Sequence, residues 1–275
     1  MQVKKEEYSG KLYLMYQYSA GVLRSHTKKQ RAERKNITSE AKREINKTRR
    51  KFDLMLLLGA NFNPGRDLFV YLGWAHEPTI EEDKRAVRRF HRRMGALYEK
   101  LGITYKWIDV REQHNREGEP CRLHHHMIIS ADGRRMLGKI MECWGCGSVD
   151  VRMLYGLSDN FEDTCHYLLK ERKPSGARAY SASRNLHRPP DPLRRKVPEA
   201  AAGEGAAGVL VVRSDLHDTI AGRYEIMVGK IIDEGAFMRY WDRAQADRRK
   251  YDEAKFWRTW AARNSKKSGG NAPAF

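Results

Sequence analysis

Apolar residues recur with helical spacing in two long stretches of the chain. The first stretch follows Ser39 and ends at the turn residues 61–65. The second follows Thr79 and Glu82, which have the spacing of a capping box. Its apolar stripe consists of Val87, Phe90, Met94 and Leu97. Both stretches therefore predict amphipathic helices that pack one side on a core.

Short runs of aromatic and β-branched residues predict strands at 67–74, 105–112, 122–130 and 148–154. The polar residues 113–120 would join the second run to the third as an antiparallel hairpin, which would bring Glu112 near His124. Two shorter helices are predicted, one at 134–143 and one that Asp159 and Glu162 would cap. This order of elements predicts an α+β fold, in which helices pack on an antiparallel β-sheet.

The two ends of the chain predict separate regions. We expect a basic N-terminal arm at 1–38 with at most one edge strand, a main domain at 39–190, a linker at 191–208 and an accessory region at 209–275. The accessory region is predicted to hold strands at 209–212 and 224–228, followed by a basic, tryptophan-bearing helical extension at 236–263. Its aromatic residues suit single-stranded DNA, but core packing explains them at least as well.

The charge of the chain indicates the class of partner. The 53 Lys and Arg residues against 35 Asp and Glu give a net charge of +18, which favours a polyanion, nucleic acid before a membrane surface. No apolar stretch is long enough to span a bilayer and no signal peptide is evident, so we expect a cytoplasmic protein. The predicted DNA contacts are arginines on the outer side of the Thr79-capped helix: Arg85, Arg88, Arg89, Arg92 and Arg93.

Three consecutive histidines occupy the middle of the third predicted strand. Side chains alternate between the faces of a strand, so His124 and His126 share one face and His125 points to the other. Two imidazoles one strand step apart form half of a metal site. A surface histidine cluster is the alternative. Glu112 is the first choice as third ligand on the hairpin argument, and its rivals are Gln113 and His114. Imidazole with carboxylate suits Mn²⁺ or Mg²⁺ and would also bind Zn²⁺.

A tyrosine and a lysine are three positions apart on the last predicted helix of the main domain. Tyr167 and Lys170 would project from one side of that helix. A phenol is a poor nucleophile at neutral pH, and a neighbouring cation favours the phenolate. This spacing alone is common in helices, and an ordinary interfacial tyrosine is the alternative to a functional one.

A His-x-His strand followed by a helical Tyr-x-x-Lys resembles the HUH endonucleases, which nick one DNA strand and stay attached through a phosphotyrosine. Segments 61–70 and 180–186 are similar to the flanking regions of phage and plasmid rolling-circle replication initiators (Rep proteins), so the resemblance covers about residues 39–190. It departs at His125, where the superfamily usually has a bulky apolar residue. Because Glu171 follows one turn after Tyr167 where some relatives carry a second tyrosine, a single-tyrosine enzyme is implied.

The resemblance implies an HUH/Rep-type, RRM-like fold and a metal-dependent nickase and strand transferase that forms a 5′-phosphotyrosine. It implies that Tyr167 is the nucleophile and Lys170 its partner, with Tyr180 and Tyr155 as the fallback nucleophiles. The implied partners are single-stranded DNA at a replication origin and a host polymerase in the bacterial cytoplasm. The chain has no Walker-type loop, so a helicase would act in trans. A relaxase or single-strand transposase of the superfamily, and a non-catalytic nucleic-acid-binding protein, are the alternatives. The lone C-x-x-C at Cys143 and Cys146 is expected to hold buried free thiols rather than zinc.

Overall fold

The computed structural model describes residues 2–19, 40–115, 119–134, 136–155, 161–170, 178–198, 205–219 and 222–268. These residues form ten strands and five helices, an α+β architecture with two antiparallel five-stranded sheets. The strands are β1 Gln2–Ser9, β2 Leu12–Ser19, β3 Leu68–Gly73, β4 Trp107–His114, β5 Pro120–Ile129, β6 Val149–Met153, β7 Ser181–Ala182, β8 Leu193–Val197, β9 Val209–Thr219 and β10 Gly222–Ile231. The helices are α1 Glu40–Asn61, α2 Ile80–Lys100, α3 Leu137–Trp144, α4 Glu162–Leu168 and α5 Glu234–Ser268.

The chain divides into two compact units. The central unit comprises Ser9–Leu12 and Arg34–Pro190, and the terminal unit comprises Met1–Tyr8, Tyr13–Glu33 and Asp191–Phe275. The sheet of the central unit has the strand order β6-β3-β5-β4-β7, and that of the terminal unit has the order β8-β1-β2-β10-β9.

One face of the central sheet packs against α2 and α3. Phe90 and Met94 of α2 and Trp144 of α3 are buried in one core cluster with the strand residues Val70 and Met127. The predicted capping box at the start of α2 is confirmed, since the Glu82 amide donates to the Thr79 hydroxyl and the Thr79 amide donates to the Glu82 carboxylate. Helices α2 and α3 cover this face of the sheet. Because side chains alternate along a strand, the other side chains of β3, β4 and β5 point to the opposite face.

The predicted hairpin is also confirmed. Strands β4 and β5 pair antiparallel with Glu112 opposite His124 and Val110 opposite His126. On its other side β5 pairs with β3, where Tyr71 lies opposite His126. Strand β5 is therefore the middle strand of the sheet, and its histidines have a neighbouring strand on both sides.

The terminal unit differs from the prediction at three places. Strand β1 lies in the region predicted as a basic arm with at most one strand. Strand β2 lies in the middle of its sheet rather than at an edge, and residues predicted as linker form β8, which pairs with β1. The charged residues of β1 made this strand look like a solvated arm. Glu6 is in fact fully buried, and it accepts hydrogen bonds from Tyr13 (2.6 Å) and Arg195 (3.1 Å). The predicted strands at 209–212 and 224–228 and the helix at 236–263 are confirmed as β9, β10 and α5.

The cap predicted for α4 is wrong in its residues. Phe161 is the N-cap residue, and it caps without a side-chain hydrogen bond in a left-handed backbone conformation (φ 57°). Burial of the Phe161 ring, which is 2% exposed, offsets the cost of that conformation. Asp159 lies outside the described residues, as do Ser39 and the basic segment 28–35.

Candidate metal centre and its tyrosine

Glu112, His124 and His126 lie together on the face of the central sheet that points away from α2. One ligand atom from each residue lies within 4.8 Å of the others. The Glu112 Oε2 atom is 3.5 Å from His124 Nε2 and 3.2 Å from His126 Nε2, and the two Nε2 atoms are 3.2 Å apart. Glu112 and His126 are only 3% exposed. This is the trio expected from strand alternation and the hairpin.

Backbone contacts and burial prepare both imidazoles to act as ligands. The His124 Nδ1 atom is 2.8 Å from the carbonyl oxygen of Arg122, and a carbonyl can only accept, so Nδ1 carries the proton and Nε2 presents a lone pair to the cluster. Burial, followed by the nearby His124 and Lys170, lowers the pKa of His126 to about 3. His126 is therefore a neutral imidazole, which is the form that binds metals.

The spacing of these donor atoms fits a cation. Two imidazole nitrogens and a carboxylate oxygen converge within 3.2–3.5 Å of one another. Donors bound at about 2.1 Å lie about 3.0 Å apart around an octahedral ion and about 3.4 Å apart around a tetrahedral ion. The cluster therefore has the chemistry and the size of a divalent metal site.

The strand register bears on the two rival third ligands. Gln113 lies at an irregularity in the pairing of β4 with β5, between Glu112 and His114. His114 is exposed at the end of β4, opposite Pro120 and beyond an irregularity in the strand register. Among the His, Cys, Asp and Glu residues that the structure describes, Glu112, His124 and His126 are the group that could hold a metal.

Tyr167 lies against this cluster. Its hydroxyl oxygen is 3.4 Å from His126 Nε2, and the two rings are 4.9 Å apart at their centroids. The ring also packs edge-on against Phe69 of β3, and the side chain remains 39% exposed. The apolar residues of α4, Cys165 and Leu168, are buried on its other side. Helix α4 therefore presents the tyrosine to the sheet face that carries the histidines while leaving it open to solvent.

Lys170 connects the tyrosine with the carboxylate. Helix α4 ends at Leu168, and Lys170 turns back so that its ammonium lies 3.9 Å from the centroid of the Tyr167 ring. The same nitrogen is 3.0 Å from Glu112 Oε1. Glu112 thus uses one oxygen toward the histidines and the other toward Lys170. The predicted pairing of Tyr167 and Lys170 is present, and the contact between Lys170 and Glu112 was not foreseen.

His125 takes part in a buried ionic network on the opposite face. Its Nδ1 is 2.8 Å from Asp109 and its Nε2 is 2.8 Å from Asp83 of α2, so both nitrogens donate and the ring is an imidazolium. Burial alone lowers the pKa of His125, but Asp109 and Asp83 outweigh it and raise the pKa to about 9. Arg111 adds a second cation, 3.8 Å from Asp83. The contact of His125 with Asp83 therefore connects the middle of β5 to α2, on the sheet face opposite His124 and His126.

Three residues of this region escaped the sequence analysis. Asp83 occupies a position of the apolar stripe of α2 and is buried. A carboxylate at such a position indicates a buried hydrogen-bonding or cationic partner. Phe69 and Tyr71 alternate with the core residues of β3 and contact the cluster histidines: the Tyr71 ring centroid is 5.1 Å from that of His124. Their role depends on which strand neighbours β5, and no local pattern reveals this.

The predicted DNA-contacting arginines are not brought to the cluster. All five are exposed on α2, which covers the other face of the sheet. Two of them contact the C-x-x-C loop, where Arg89 lies 3.2 Å from the Cys146 sulfur and Arg93 lies 3.3 Å from the Cys143 carbonyl. Cys143 and Cys146 form no disulfide and are both partly exposed, whereas buried thiols were expected.

Neither fallback tyrosine competes with Tyr167 in this geometry. Tyr155 is 71% exposed. Tyr180 is half-buried, and burial followed by the nearby Asp53 raises its pKa, which makes its phenolate harder to form. Among the described residues, Tyr167 is the tyrosine that places its hydroxyl within 3.5 Å of a cluster histidine.

Tyr167, Lys170 and the three candidate metal ligands thus lie together on one face of the central sheet, where Tyr167 is partly exposed and Glu112 and His126 are buried. None of the helices in the described part of the chain is both long and apolar enough to cross a bilayer. Comparison with known protein families, with characterised proteins and with solved structures found no match to this chain.

Proposed function

We propose that this protein is an HUH endonuclease of the Rep type, which nicks and rejoins single-stranded DNA to start rolling-circle replication. The observation that carries the proposal is the position of the Tyr167 hydroxyl, 3.4 Å from His126 in the Glu112–His124–His126 cluster. The cluster and the tyrosine come from segments about forty residues apart in the chain, and nothing in a packed core requires three ionisable ligands and a phenol to meet.

The proposed reaction is a transesterification. The Tyr167 oxygen attacks the phosphorus of the scissile phosphodiester, an O–P bond to tyrosine forms, and the bond from phosphorus to the 3′ oxygen breaks. The phenol proton passes to solvent, to which the half-exposed side chain is open, and the departing 3′ oxygen takes a proton from water. The products are a 5′-phosphotyrosine and a free 3′-hydroxyl, and the reverse reaction rejoins the strand without a nucleotide energy source.

Lys170 stabilises the charge that develops in this reaction. Its ammonium lies 3.9 Å from the centre of the phenol ring, so a positive charge stands beside the ring when the hydroxyl loses its proton and attacks. Its ion pair with Glu112 fixes it beside the cluster, so the cation is already in position before DNA binds. Phe69 holds the Tyr167 ring from the other side through an edge-on contact at 5.9 Å.

Glu112, His124 and His126 would hold the divalent ion, Mn²⁺ or Mg²⁺. When bound, such an ion offsets the negative charge that accumulates on the phosphate oxygens. Lys170 thus lies beside the attacking tyrosine, and the cluster would hold the ion that acts on the phosphate.

The biological role follows from the products. A free 3′-hydroxyl primes a host polymerase, and a helicase would be supplied in trans in the bacterial cytoplasm. Relaxases of the same superfamily tend to carry the tyrosine before the histidines. Here Tyr167 follows His124 and His126, which favours replication initiation over conjugative transfer.

The test is capture of the covalent intermediate. The full-length protein is incubated with Mn²⁺ or Mg²⁺ and a pool of labelled single-stranded oligonucleotides of random sequence, and adducts that survive denaturing electrophoresis are sequenced. We expect an adduct enriched in one sequence, lost in Tyr167→Phe and His124→Ala and retained in the matched controls Tyr155→Phe and Tyr180→Phe. An adduct that persists in Tyr167→Phe would assign the nucleophile elsewhere, and binding without any adduct would favour a non-catalytic nucleic-acid-binding protein.

A further inference from the structure

The second half of α5 exposes four large aromatic side chains to solvent. The exposed fractions are 45% for Tyr251, 60% for Phe256, 55% for Trp257 and 53% for Trp260. The first half of the same helix behaves differently, because its aromatic residues Phe237 and Trp241 are buried in the core of the terminal unit. Core packing therefore explains the aromatic residues before position 245 and does not explain those after it.

Cations are interleaved with these rings. Arg249 and Lys250 precede Phe256 and Trp257 by seven residues and so lie on the same side of the helix, two turns away. Both are exposed, as are Lys255 and Arg258. Arg258 contacts only the Ala254 carbonyl of its own helix (3.1 Å) among the described residues. The sequence continues with Arg263, Lys266 and Lys267.

The distribution of these residues argues against two other uses of an aromatic helix. A helix that lies on a membrane or pairs with a second helix collects its apolar residues in one stripe. Here Phe256, Trp257 and Trp260 share one side with the carboxylate of Glu253, and Tyr251 projects from the other side with Lys255 and Arg258. The aromatic side is therefore short. Arg249, Lys250 and Glu253 occupy the same side in the preceding turns, so no apolar stripe runs the length of 249–260.

The rings also leave most of their flat faces available, because each perpendicular contact covers one face of one ring. Phe256 and Trp257 meet edge-on with their planes at 77°, and Trp257 and Trp260 do the same at 77°. Rings that stack face to face on each other have fewer free faces than rings in perpendicular pairs. Free aromatic faces beside cations are what unpaired nucleotides require, because bases stack on the rings and phosphates pair with Lys and Arg.

We propose that residues 249–260 of α5 form a binding surface for an unpaired nucleic-acid strand. The surface recognises the bases by stacking and the phosphates by charge, so it takes any sequence. It needs neither the metal cluster nor Tyr167, and its existence does not depend on the nicking activity proposed above.

The experiment is a binding titration of the full-length protein in EDTA, where metal-dependent cleavage cannot occur. The probes are fluorescein-labelled oligo(dT) and oligo(rU) of about 16 nucleotides, and a DNA duplex of the same length. We expect the single strands to bind more tightly than the duplex. Replacing Trp257→Ala and Trp260→Ala together should weaken single-strand binding about a hundredfold, since loss of one stacked base costs about tenfold. The dT and rU arms identify which kind of strand is preferred.

Two matched variants control the measurement. Trp257→Phe with Trp260→Phe keeps flat rings and should restore most of the affinity. Ile232→Ala removes an apolar side chain that is also exposed, at 64%, and should change nothing. The proposal is overturned if the double alanine variant binds single strands as tightly as the wild type. It is also overturned if the oligonucleotides do not bind while light scattering shows an aromatic-dependent dimer, or while vesicles of phosphatidylglycerol and phosphatidylcholine bind instead.

Discussion

The ammonium nitrogen of Lys170 lies 3.0 Å from Oε1 of Glu112. The lysine that contacts the candidate nucleophile Tyr167 therefore also forms an ion pair with a candidate metal ligand. Both groups are largely buried, with side-chain exposures of 14% and 4%. In such a site a charge acts on its neighbours more strongly than it would in water. Lys170 therefore acts on both the tyrosine and the carboxylate. Its positive charge should favour cleavage by Tyr167 and oppose the binding of a metal ion by Glu112.

Replacing Lys170→Met should separate these two consequences. Loss of the cation beside the phenol should lower the single-turnover cleavage rate constant about 100-fold. Loss of the same cation beside Glu112 removes a repulsion on the metal, so Mn²⁺ affinity should stay the same or rise. Rate and affinity are measured by gel assay and by isothermal titration. Lys139→Met, an exposed lysine of α3, serves as control. A Lys170→Met variant that loses its metal would mean that the lysine only supports the cluster.

Metal affinity should distinguish Glu112 from its sequence neighbours. Glu112→Gln removes the only carboxylate of the trio and should weaken Mn²⁺ binding at least about tenfold. Gln113→Ala and His114→Ala are matched controls, because both residues were rival ligands, and His114 lies outside the group that could hold a metal. Both controls should bind Mn²⁺ like the wild type in a titration of the metal-free protein. Weaker binding in His114→Ala than in Glu112→Gln would assign the third ligand to the end of β4.

Much of this site was predictable because strand geometry is local. Alternation along β5 fixes that His124 and His126 share a face, and the short hairpin brings Glu112 opposite His124. The contact of His125 with Asp83 was not predictable, because it depends on how α2 crosses the sheet. Strand β1 was missed for a similar reason: its pattern is polar, and the partners that neutralise Glu6, such as Arg195, lie almost two hundred residues away.

The arginines of α2 should contribute to affinity and not to chemistry. They lie on the sheet face opposite the cluster, so Arg88→Ala with Arg92→Ala should leave the cleavage rate constant unchanged at saturating DNA. If they bind phosphates, the variant should bind single-stranded DNA more weakly, and the slope of log K against log salt should fall by about 0.7 for each phosphate that is no longer neutralised. Lys139→Ala is the control on α3. An unchanged salt slope would show that DNA does not reach this helix.

Breaking the buried network around His125 should destabilise the central unit. His125→Gln would leave Asp83 and Asp109, both less than 10% exposed, without their shared cation. Removing one partner of a buried ionic pair typically costs about 3 kcal/mol or more. Urea denaturation followed by circular dichroism measures this loss. His166→Gln, a change of the same type at an exposed position on α4, should stay within about 0.5 kcal/mol of the wild type. Equal stability of the two variants would contradict the network.

His91 should make the protein less stable in acid. Its ring stacks on Trp107 with centroids 3.8 Å apart, and burial lowers its pKa to about 4. In the unfolded chain a histidine titrates near pH 6.5, so between about pH 6.5 and 4 the unfolded state binds the proton more readily than the folded state. The free energy of unfolding should therefore fall as the pH drops through this window, by up to about 3 kcal/mol in total. The contribution of His91 is the difference between the wild type and His91→Gln, measured by urea denaturation at pH 7 and at pH 4.5. The two proteins should converge in stability as the pH falls, because the variant has no proton to take up at this position. Parallel pH profiles would show that His91 is protonated equally well in the folded and unfolded states.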